Sequence, residues 1–314
     1  MTVCLPIFFT SSVALSAKER LAVERLIREC KIADAYDPCL EFDTHLNADS
    51  FMPAWHLARA EPAKALLEPL DGGGVHDSRI LVAAASTFAP SKQEAEISAC
   101  VSPVFRRQGI FMALYERQLA ALGGLSVGSM QIVCENSSPT GAALASRLGA
   151  TFDHAEFLMR LPPERLDGIR APEGLRLVPV SLENLDAFAD LSAEVFAERT
   201  RDAKTLASTV LADPAREQFM ARATQGEIGT VATSRYQDGY MIHGLGVAPN
   251  SRSQGLGAAI LDAVLVVLRN RGARDISLEV DMNNGSALAL YRSRGFVPHG
   301  QIDYWRLPEP ASKI

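Results

Sequence analysis

A glycine-rich segment near the C-terminal end of the chain has the residue types and spacing of an anion-binding loop. It lies between a predicted strand, 241–249, and a predicted helix, 258–268. Glycines let a ligand approach the backbone closely, and the first turn of a helix presents N–H groups without intrahelical partners at the positive end of its dipole. The segment therefore predicts a pyrophosphate site. Its residues are Arg252, Ser253, Gln254, Gly255, Leu256, Gly257 and Ala258.

Two other glycine-rich loops bind nucleotides, and neither fits this segment. The dinucleotide-binding loop has the form Gly-x-Gly-x-x-Gly with an acidic residue about 20 residues later, and the glycine spacing here differs. A P-loop would require Gly-Lys-Ser or Gly-Lys-Thr, which the chain lacks. The simplest alternative is a glycine pair that starts a helix and binds no ligand. The residues downstream distinguish this alternative from an anion-binding loop.

The residues downstream form a second motif. A β-rich run, 276–280, is followed by Asn283, by Ala287-Leu288, by Leu290-Tyr291 and by Gly295-Phe296. Together the two motifs resemble the GNAT superfamily of acyl-CoA-dependent N-acyltransferases, whose pyrophosphate motif is Arg/Gln-x-x-Gly-x-Gly/Ala. The resemblance covers roughly residues 175–307. It implies an α/β fold with a mixed, mostly antiparallel sheet and helices on both faces, in which two central strands separate where acetyl-CoA enters.

The resemblance also implies roles for individual residues. The backbone N–H of Val247 would polarise the thioester carbonyl, and Tyr291 would protonate or hydrogen-bond the departing sulfur. Asn283 would either contact the pantetheine arm or cap the helix that begins at Asn284, and both interpretations stay open. The implied cofactor-binding set is Leu245, Val247, Arg252, Ser253, Gln254, Gly255, Leu256, Gly257, Ala258, Asn283 and Tyr291.

A general base is needed only for an acceptor amine of high pKa. A lysine-like amine costs roughly 4–5 kcal/mol to deprotonate at pH 7, and an α-amine only about 1 kcal/mol. Alternate residues of a strand share one face, so His243 lies on the same face as Val247, and an imidazole has a suitable pKa. Glu279, on the next predicted strand, is a second candidate. Packing and solvation are the alternative roles for these two residues, and a base-free route through water also stays open.

The chain contains an internal repeat with an offset of 146 residues (247 − 101). Residues 101–109 match residues 247–255 at five of nine positions, and the same offset places Gly149 on Gly295. A register kept over this distance indicates two copies of one fold. A second cofactor site would comprise Val101, Arg106, Arg107, Gln108, Gly109 and Ile110.

The two copies differ at two positions important for chemistry. Phe111 replaces Gly257, which removes the closest approach of a ligand to the backbone, and Ala145 replaces Tyr291 and cannot donate a proton. A polar segment rich in proline and glycine, 161–174, predicts a linker with its boundary near 162–172. We therefore expect tandem GNAT-like domains: 1–165, degenerate and acting as a lid or dimerisation domain, and 170–314, with the intact motif.

Length and composition predict two globular domains. The chain has 314 residues, 47% of them hydrophobic, a net charge of −6 and a pI near 5.6, which argues against binding of nucleic acid or anionic membranes. The apolar stretch 3–15 lacks the cationic start of a signal peptide, and no apolar run approaches the ~20 residues of a membrane span. We expect a buried first strand and a cytoplasmic protein. A homodimer is compatible with the sequence.

Cysteine usage predicts no disulfide framework and no metal site. Neither C-x-x-C nor zinc-ligand spacing occurs, and the number of cysteines is odd. We expect reduced thiols, with two of them, Cys100 and Cys134, as small core residues of predicted strands. The full set is Cys4, Cys30, Cys39, Cys100 and Cys134.

Two functional classes follow from the resemblance. The first is an N-acetyltransferase that moves an acetyl group from acetyl-CoA to a small-molecule or peptide amine by direct attack in a ternary complex. The second is a non-catalytic acyl-CoA-binding sensor or interaction module. Retention of both Gly257 and Tyr291 favours the enzyme. The acceptor itself cannot be inferred, because variable loops build its pocket.

Overall fold

The chain consists of two compact units. The computed structural model describes residues 5–61, 79–91, 93–125, 127–236 and 239–308. Unit 1 contains Met1–Asp153 and Asp303–Ile314, and unit 2 contains His154–Ile302. Each unit has a mixed, mostly antiparallel sheet with helices on both faces, as the sequence predicts. Among the described residues, no helix is both long and apolar enough to cross a membrane.

The sheet of unit 1 has antiparallel pairing from β1 through β4 and parallel pairing of β4 with β5. The end of β12 completes this sheet. The strands are β1 (Ile7–Ser12), β2 (Trp55–Ala60), β3 (Ile80–Phe88), β4 (Glu94–Val101), β5 (Ser129–Glu135) and the end of β12 (Val297–Arg306); the helices are α1 (Ala17–Asp34), α2 (Ile110–Leu122) and α3 (Pro139–Arg147).

Alternation along the strands separates two cores in unit 1. Leu57 and Ala84 pack into the cluster that contains the buried residues of α1, whereas Ala58 and Ala83 pack into the cluster that contains Ile110 of α2. Successive side chains of a strand point to opposite faces of the sheet, so α1 and the start of α2 cover different faces.

Unit 2 repeats this arrangement, with five described α-helices where unit 1 has three. The strand order is the start of β12, then β6-β11-β10-β9-β8-β7, and the described pairs are antiparallel from β6 to β11 and from β10 through β7, with β10 and β11 parallel. The elements are β6 (Thr151–Leu161), α4 (Pro163–Leu166), β7 (Arg176–Pro179), α5 (Leu185–Phe196), α6 (Thr200–Leu211), β8 (Arg216–Ala223), β9 (Gly226–Tyr236), β10 (Gly239–Val247), α7 (Leu256–Asn270), β11 (Ile276–Asp281) and α8 (Gly285–Ser293).

The two faces of the unit 2 sheet are covered by different helices. Phe219 packs into the core cluster with Ile260 of α7, and its neighbour Met220 packs with Phe188 of α5 and Ala207 of α6. The alternation on β8 therefore places α7 on one face and the pair α5–α6 on the other.

The boundaries of the two units differ from those of the domains expected from the sequence. Unit 2 begins inside β6, and the residues after Ile302 return to unit 1. There Leu307 is buried and donates its N–H to the carbonyl of Met130 at 2.8 Å. The expected linker, 161–174, contains α4, whose Leu166 is buried in the unit 2 core. Proline and glycine form turns in this segment, but its buried apolar side chains make it part of unit 2.

The N-terminal region also departs from expectation. β1 is a half-exposed edge strand rather than a buried one. Strand β2 was not predicted, because Arg59 interrupts its apolar pattern; this residue forms an ion pair with Glu19 of α1 at 2.8 Å.

The cysteines of the described part are free thiols. Cys100 in β4 and Cys134 in β5 are buried, as predicted, and Cys4 lies outside the described residues.

Candidate active site

Two central strands of unit 2 separate at one end. Among the described residues, the pairs between β10 and β11 are Tyr240–Ile276, Met241–Ser277 and Ile242–Leu278. Beyond these pairs β10 continues along β9, and β11 continues along β6. A gap therefore opens between β10 and β11, as the family resemblance implies.

A β-bulge lies in β10 at the start of this gap. His243 is opposite Ala232 of β9, and Gly246 is opposite Thr230, so three steps along β10 match two steps along β9. Gly244 has a φ of 53°, a value that glycine adopts without steric cost. Because directly opposite residues share a face, the bulge returns His243 and Gly246 to the same face of the sheet.

The bulge places His243 and Val247 on opposite faces, so the face predicted from regular alternation is wrong. Val247 is opposite Gly229, where an added Cβ would lie 2.9 Å from Ile260 of α7. On the other face, a Cβ at Gly246 would lie 2.2 Å from Val195 of α5. Hydrophobic periodicity cannot reveal the extra residue.

His243 is a neutral, hydrogen-bonded side chain rather than a strong base. Its Nε2 lies 2.7 Å from the hydroxyl of Ser234. Burial, assisted by the positive charge of Arg216, lowers the pKa of His243 to about 4. An imidazole with this pKa accepts protons weakly at neutral pH.

Protonation of His243 is expected to destabilise the protein at acidic pH. Its pKa is about 4 in the fold and near 6.5 in an unfolded chain. The unfolded state therefore binds more protons between pH 6.5 and 4, and stability falls as pH falls through this window, by at most about 3 kcal/mol for this group. His56, whose pKa burial also lowers to about 4, adds a similar loss. The difference in urea midpoint between pH 7 and pH 4.5 should be smaller in His243→Gln than in the wild type; an equal difference would contradict the assignment.

Glu279 lies on the same face as His243. Ile242 pairs with Leu278, and both pack into the core that contains α7, so the next residue of each strand points to the α5–α6 face. Glu279 is exposed and interacts with neighbouring groups. The two candidate bases therefore lie on the same face of the sheet, each one residue beyond the last pair of β10 and β11.

The backbone N–H of Val247 points into the gap. The next residue, Ala248, donates its N–H to the carbonyl of Ile228 at 2.8 Å, and N–H groups alternate in direction along an antiparallel pair. The N–H of Val247 therefore points away from β9, toward the side from which β11 has separated. This is the direction required for a donor to a ligand carbonyl held between the strands.

The loop that follows β10 presents a series of unpaired backbone amides. Ser253 and Gly255 have positive φ values of 62° and 74°, and α7 begins at Leu256. Within the described part of the chain, none of the N–H groups from Ser253 to Gly257 has a hydrogen-bond partner. These amides and the helix N-terminus form a preorganised anion site.

Arg252 fixes the conformation of this loop. Its Nε donates to the carbonyl of Val247 at 3.0 Å, and its Nη2 donates to the carbonyl of Val195 at 2.9 Å. The arginine of the motif therefore connects the end of β10 with the end of α5. Its charge also adds to the positive potential of the anion site.

Tyr291 is positioned by the C-terminal end of α8. The N–H of Phe296 bonds to the carbonyl of Tyr291 at 3.1 Å, and the N–H of Gly295, with a φ of 90°, bonds to that of Arg292 at 3.0 Å. These bonds form a Schellman motif, and the rings of Tyr291 and Phe296 pack with centroids 6.0 Å apart. The Gly-Phe pair of the sequence motif thus holds the tyrosine in place.

The Tyr291 hydroxyl is a protonated donor at neutral pH. The residue is 7% exposed, and burial raises its pKa above the ordinary value of 10. No hydrogen bond from the hydroxyl to another described residue is present. It is therefore available to a ligand in the adjacent cavity.

Asn284, rather than Asn283, caps α8. The side chain of Asn284 accepts the N–H of Ala287 at 3.1 Å, whereas the N–H of Asn283 bonds to Asp281 at 2.7 Å. The capping role considered for Asn283 is therefore wrong. Its contact with the cofactor arm stays a prediction.

A cavity of about 510 Å³ joins these elements. Of the predicted residues, it is lined by Leu245, Val247, Arg252, Ser253, Gly255, Leu256, Gly257 and Tyr291. The predicted residues outside its lining are Gln254, Ala258, Asn283, His243 and Glu279. The lining also contains residues that were not predicted as site residues, although Ala287 and Leu290 belong to the second sequence motif: Val195, Phe196, Gly246, Ser251, Asn284, Ser286, Ala287 and Leu290. Helical spacing relative to Tyr291 could have identified Ala287, but nothing local marks Val195 or Phe196.

Gly246 permits the close approach of α5 to β10. A Cβ at this position would lie 2.2 Å from Val195 and 3.1 Å from Phe196, so Gly246→Ala should lower the free energy of unfolding by about 1–3 kcal/mol. Gly300→Ala is the matched control, because its nearest contact, with Leu158, is at 3.7 Å. Denaturant midpoints of the two variants measure the difference. A Gly246→Ala protein as stable as the control would show that α5 packs less closely.

The equivalent loop of unit 1 has the same backbone conformation, but the strand before it and the residue at the tyrosine position differ from those of unit 2. Arg107 and Gly109 have φ values of 61° and 79°, close to those of Ser253 and Gly255. The N–H groups of residues 107–111 have no hydrogen-bond partner in the described part of the chain. However, β4 shows no register shift against β3, and the residue at the tyrosine position, Ala145, is 0% exposed.

The residues of the unit 2 cavity fit an acyl-CoA. A row of unpaired amides suits a diphosphate, a gap between strands suits an extended arm, and two donors, the N–H of Val247 and the hydroxyl of Tyr291, suit a thioester. Fold and site together define the class of acyl-CoA-dependent acyltransferases.

Comparisons with known proteins agree with this class. The model of the "Acetyltransferase (GNAT) family" matches residues 183–296. A mycothiol acetyltransferase of Clavibacter michiganensis subsp. michiganensis is 30% identical over 233 residues, covering 70% of this chain and 74% of that protein. A mycothiol acetyltransferase of Clavibacter sepedonicus is 31% identical over 217 residues, covering 65% and 69%. The chain belongs to the GNAT acetyltransferase family, whose members use acetyl-CoA.

Solved structures show the same tandem fold. A GCN5-related N-acetyltransferase from Sphaerobacter thermophilus superposes with a TM-score of 0.70 at 20% identity, covering 97% of this chain and 98% of that one. A tandem GNAT protein from the clavulanic acid biosynthesis pathway superposes with a TM-score of 0.64 at 19% identity, covering 98% and 100%. At these identities the likeness concerns the fold.

Proposed function

We propose that the chain transfers the acetyl group of acetyl-CoA to a primary amine by direct attack in a ternary complex at the unit 2 site. The observation that carries the proposal is the convergence on one cavity of the unpaired amides of Ser253–Gly257 and the unbonded hydroxyl of Tyr291. Bound acetyl-CoA supplies a thioester as the acetyl donor.

The chain contributes three actions to this transfer. The amides of the loop and the start of α7 hold the diphosphate and fix the direction of the arm. The N–H of Val247 donates to the carbonyl oxygen and stabilises the negative charge that develops there. The Tyr291 hydroxyl donates to the departing sulfur.

The acceptor amine is proposed to enter from the α5–α6 face. His243 and Glu279 lie on that face at the mouth of the gap, and the cofactor loop connects to α7 on the other face. The variants His243→Gln and Glu279→Gln test which of them, if either, receives the proton of the ammonium group. A base-free route leaves the pH profile of kcat unchanged in both.

A mycothiol-related amine is the first acceptor to test. The relatives from both Clavibacter species are named mycothiol acetyltransferases. Release of free CoA from acetyl-CoA, measured across a panel of amines, tests the proposal. Turnover with one or more amines supports it; tight acetyl-CoA binding without turnover on any amine supports the alternative, an acyl-CoA sensor.

Unit 1 is proposed to take no part in the chemistry. Its loop retains the unpaired amides and could bind acyl-CoA through residues 106–110, but Phe111 and the buried Ala145 replace the glycine and the tyrosine of unit 2. A second bound equivalent of CoA in calorimetry would place a cofactor there without adding a second catalytic site.

A further inference from the structure

A second cleft in unit 2, of about 380 Å³, is lined by four arginines and one carboxylate. It lies between α4 with the segment that follows it, the end of α8 and the second turn of α7. Neither Tyr291 nor the anion-binding loop, Ser253–Gly257, lines it. The charged residues of the lining are Arg165, Arg170, Arg292, Arg294 and Asp262.

The charges of this cleft are not balanced. Arg294 holds Asp262 through two hydrogen bonds, of 2.8 and 3.1 Å, which neutralises the carboxylate. In the described part of the chain, the side chains of Arg165, Arg170 and Arg292 form no ion pair and no hydrogen bond. Three exposed and unpaired arginines therefore line one cleft in a protein whose net charge is −6. Bound anions relieve repulsion of this kind.

The walls of the cleft are fixed without a ligand. Nη1 of Arg269 donates to the carbonyls of Leu166, Asp167 and Ile169 at 3.3, 3.4 and 2.7 Å. These bonds hold the segment that carries two of the arginines.

A glycine fixes the position of one arginine. A Cβ at Gly295 would lie 3.0 Å from Cγ of Arg165, so the stem of Arg165 packs directly over this glycine. The guanidinium groups are therefore displayed from ordered backbone, which lowers the entropic cost of binding.

A structural role explains only part of the cluster. Arg292 lies in the last turn of α8, where a positive charge interacts favourably with the helix dipole. Arg165 and Arg170 come from a different segment and have no such reason to face the same cleft. Planar guanidinium groups match the geometry of phosphate oxygens, to which they bind in pairs of parallel hydrogen bonds.

We infer that this cleft binds a phosphate monoester. Its volume lies in the range of small-molecule sites, and three guanidinium groups suit a dianion better than a single carboxylate. The phosphate can belong to a separate phosphorylated metabolite or to the 3′-phosphate of CoA itself. The inference does not depend on acetyl transfer, since binding alone is measured.

Calorimetry on the full chain tests the inference with two probes. Glucose 6-phosphate is titrated into protein saturated with CoA, with glucose as the uncharged control; separately, CoA is compared with dephospho-CoA. The test variant is R165Q/R170Q/R292Q. The control, R25Q/R28Q/R201Q, removes three charges from exposed arginines outside the cleft.

Each source of phosphate predicts a different result. A separate metabolite predicts that glucose 6-phosphate binds to the CoA-saturated protein and that its affinity falls roughly tenfold or more in the test variant only. The CoA source predicts that CoA binds more tightly than dephospho-CoA and that the test variant loses this advantage. If the CoA-saturated protein does not bind glucose 6-phosphate and the ratio of CoA to dephospho-CoA affinity is equal in both variants, the inference is wrong.

Discussion

Replacement of Tyr291 by phenylalanine is expected to lower kcat for acetyl transfer by roughly 10²-fold or more, with the Kd for acetyl-CoA unchanged. Phenylalanine keeps the ring packing against Phe296 and the Schellman motif that fixes the residue. It removes only the hydroxyl, which is the donor proposed for the departing sulfur. The effect should therefore appear in kcat and kcat/KM and leave cofactor binding intact.

Tyr115→Phe provides the matched control for this variant. Tyr115 is a partly buried tyrosine of α2 in unit 1, and burial raises its pKa as it does for Tyr291. Its substitution should leave kcat unchanged. If Tyr291→Phe retains full kcat, the sulfur receives its proton from another donor and the role proposed for Tyr291 is wrong.

The second large effect is expected from Gly257→Glu. The substitution places a flexible carboxylate in the cavity beside the unpaired amides, where it repels a diphosphate and competes for its hydrogen bonds. Loss of two charge-assisted hydrogen bonds corresponds to about 3 kcal/mol, or roughly a hundredfold in Kd. Turnover and cofactor affinity should fall together.

Gly257→Ala separates this charge effect from the effect of size. A Cβ at Gly257 would lie 3.5 Å from Leu290 and 3.6 Å from Val247, which are ordinary van der Waals distances, so alanine should be tolerated. Calorimetry with CoA measures both variants. If unit 1 binds a second equivalent, Gly257→Glu retains that equivalent but still loses turnover. Unchanged turnover and affinity in Gly257→Glu would exclude the unit 2 loop as the site.

Most of the site that could be predicted from the sequence lies in the two motifs. The glycines of the loop and Gly295 are visible in the sequence because particular backbone conformations need them, and the structure gives Gly255 and Gly295 positive φ values of 74° and 90°. The internal repeat predicted a second loop of the same conformation, which Arg107 and Gly109 adopt. A backbone conformation that requires glycine can be recognised from the sequence at that position.

Features that depend on pairing between distant segments were not predictable. The bulge at Gly244 moved His243 to the opposite face from Val247, and regular alternation could not show this. Phe196 reaches the cavity because α5 packs across β10, a tertiary contact without a local motif. The boundary of unit 2 also depends on burial, since Leu166 packs into its core from a segment rich in proline and glycine.

The bulge is also a physical difference between the two units. β10 contains an extra residue at Gly244, whereas β4 pairs with β3 without interruption from Val101 to Glu96. A bulge next to a site redirects backbone groups. The two units therefore differ in the strand before the loop, β10 or β4, as well as in the substitutions at Phe111 and Ala145.

A crystal structure of the chain with bound CoA tests the central claim most directly. We predict that the diphosphate accepts hydrogen bonds from the backbone amides of Ser253–Gly257, with the thiol end between β10 and β11 near the N–H of Val247 and the hydroxyl of Tyr291. CoA bound only elsewhere, or these amides bonded within the protein while CoA is present, would contradict it.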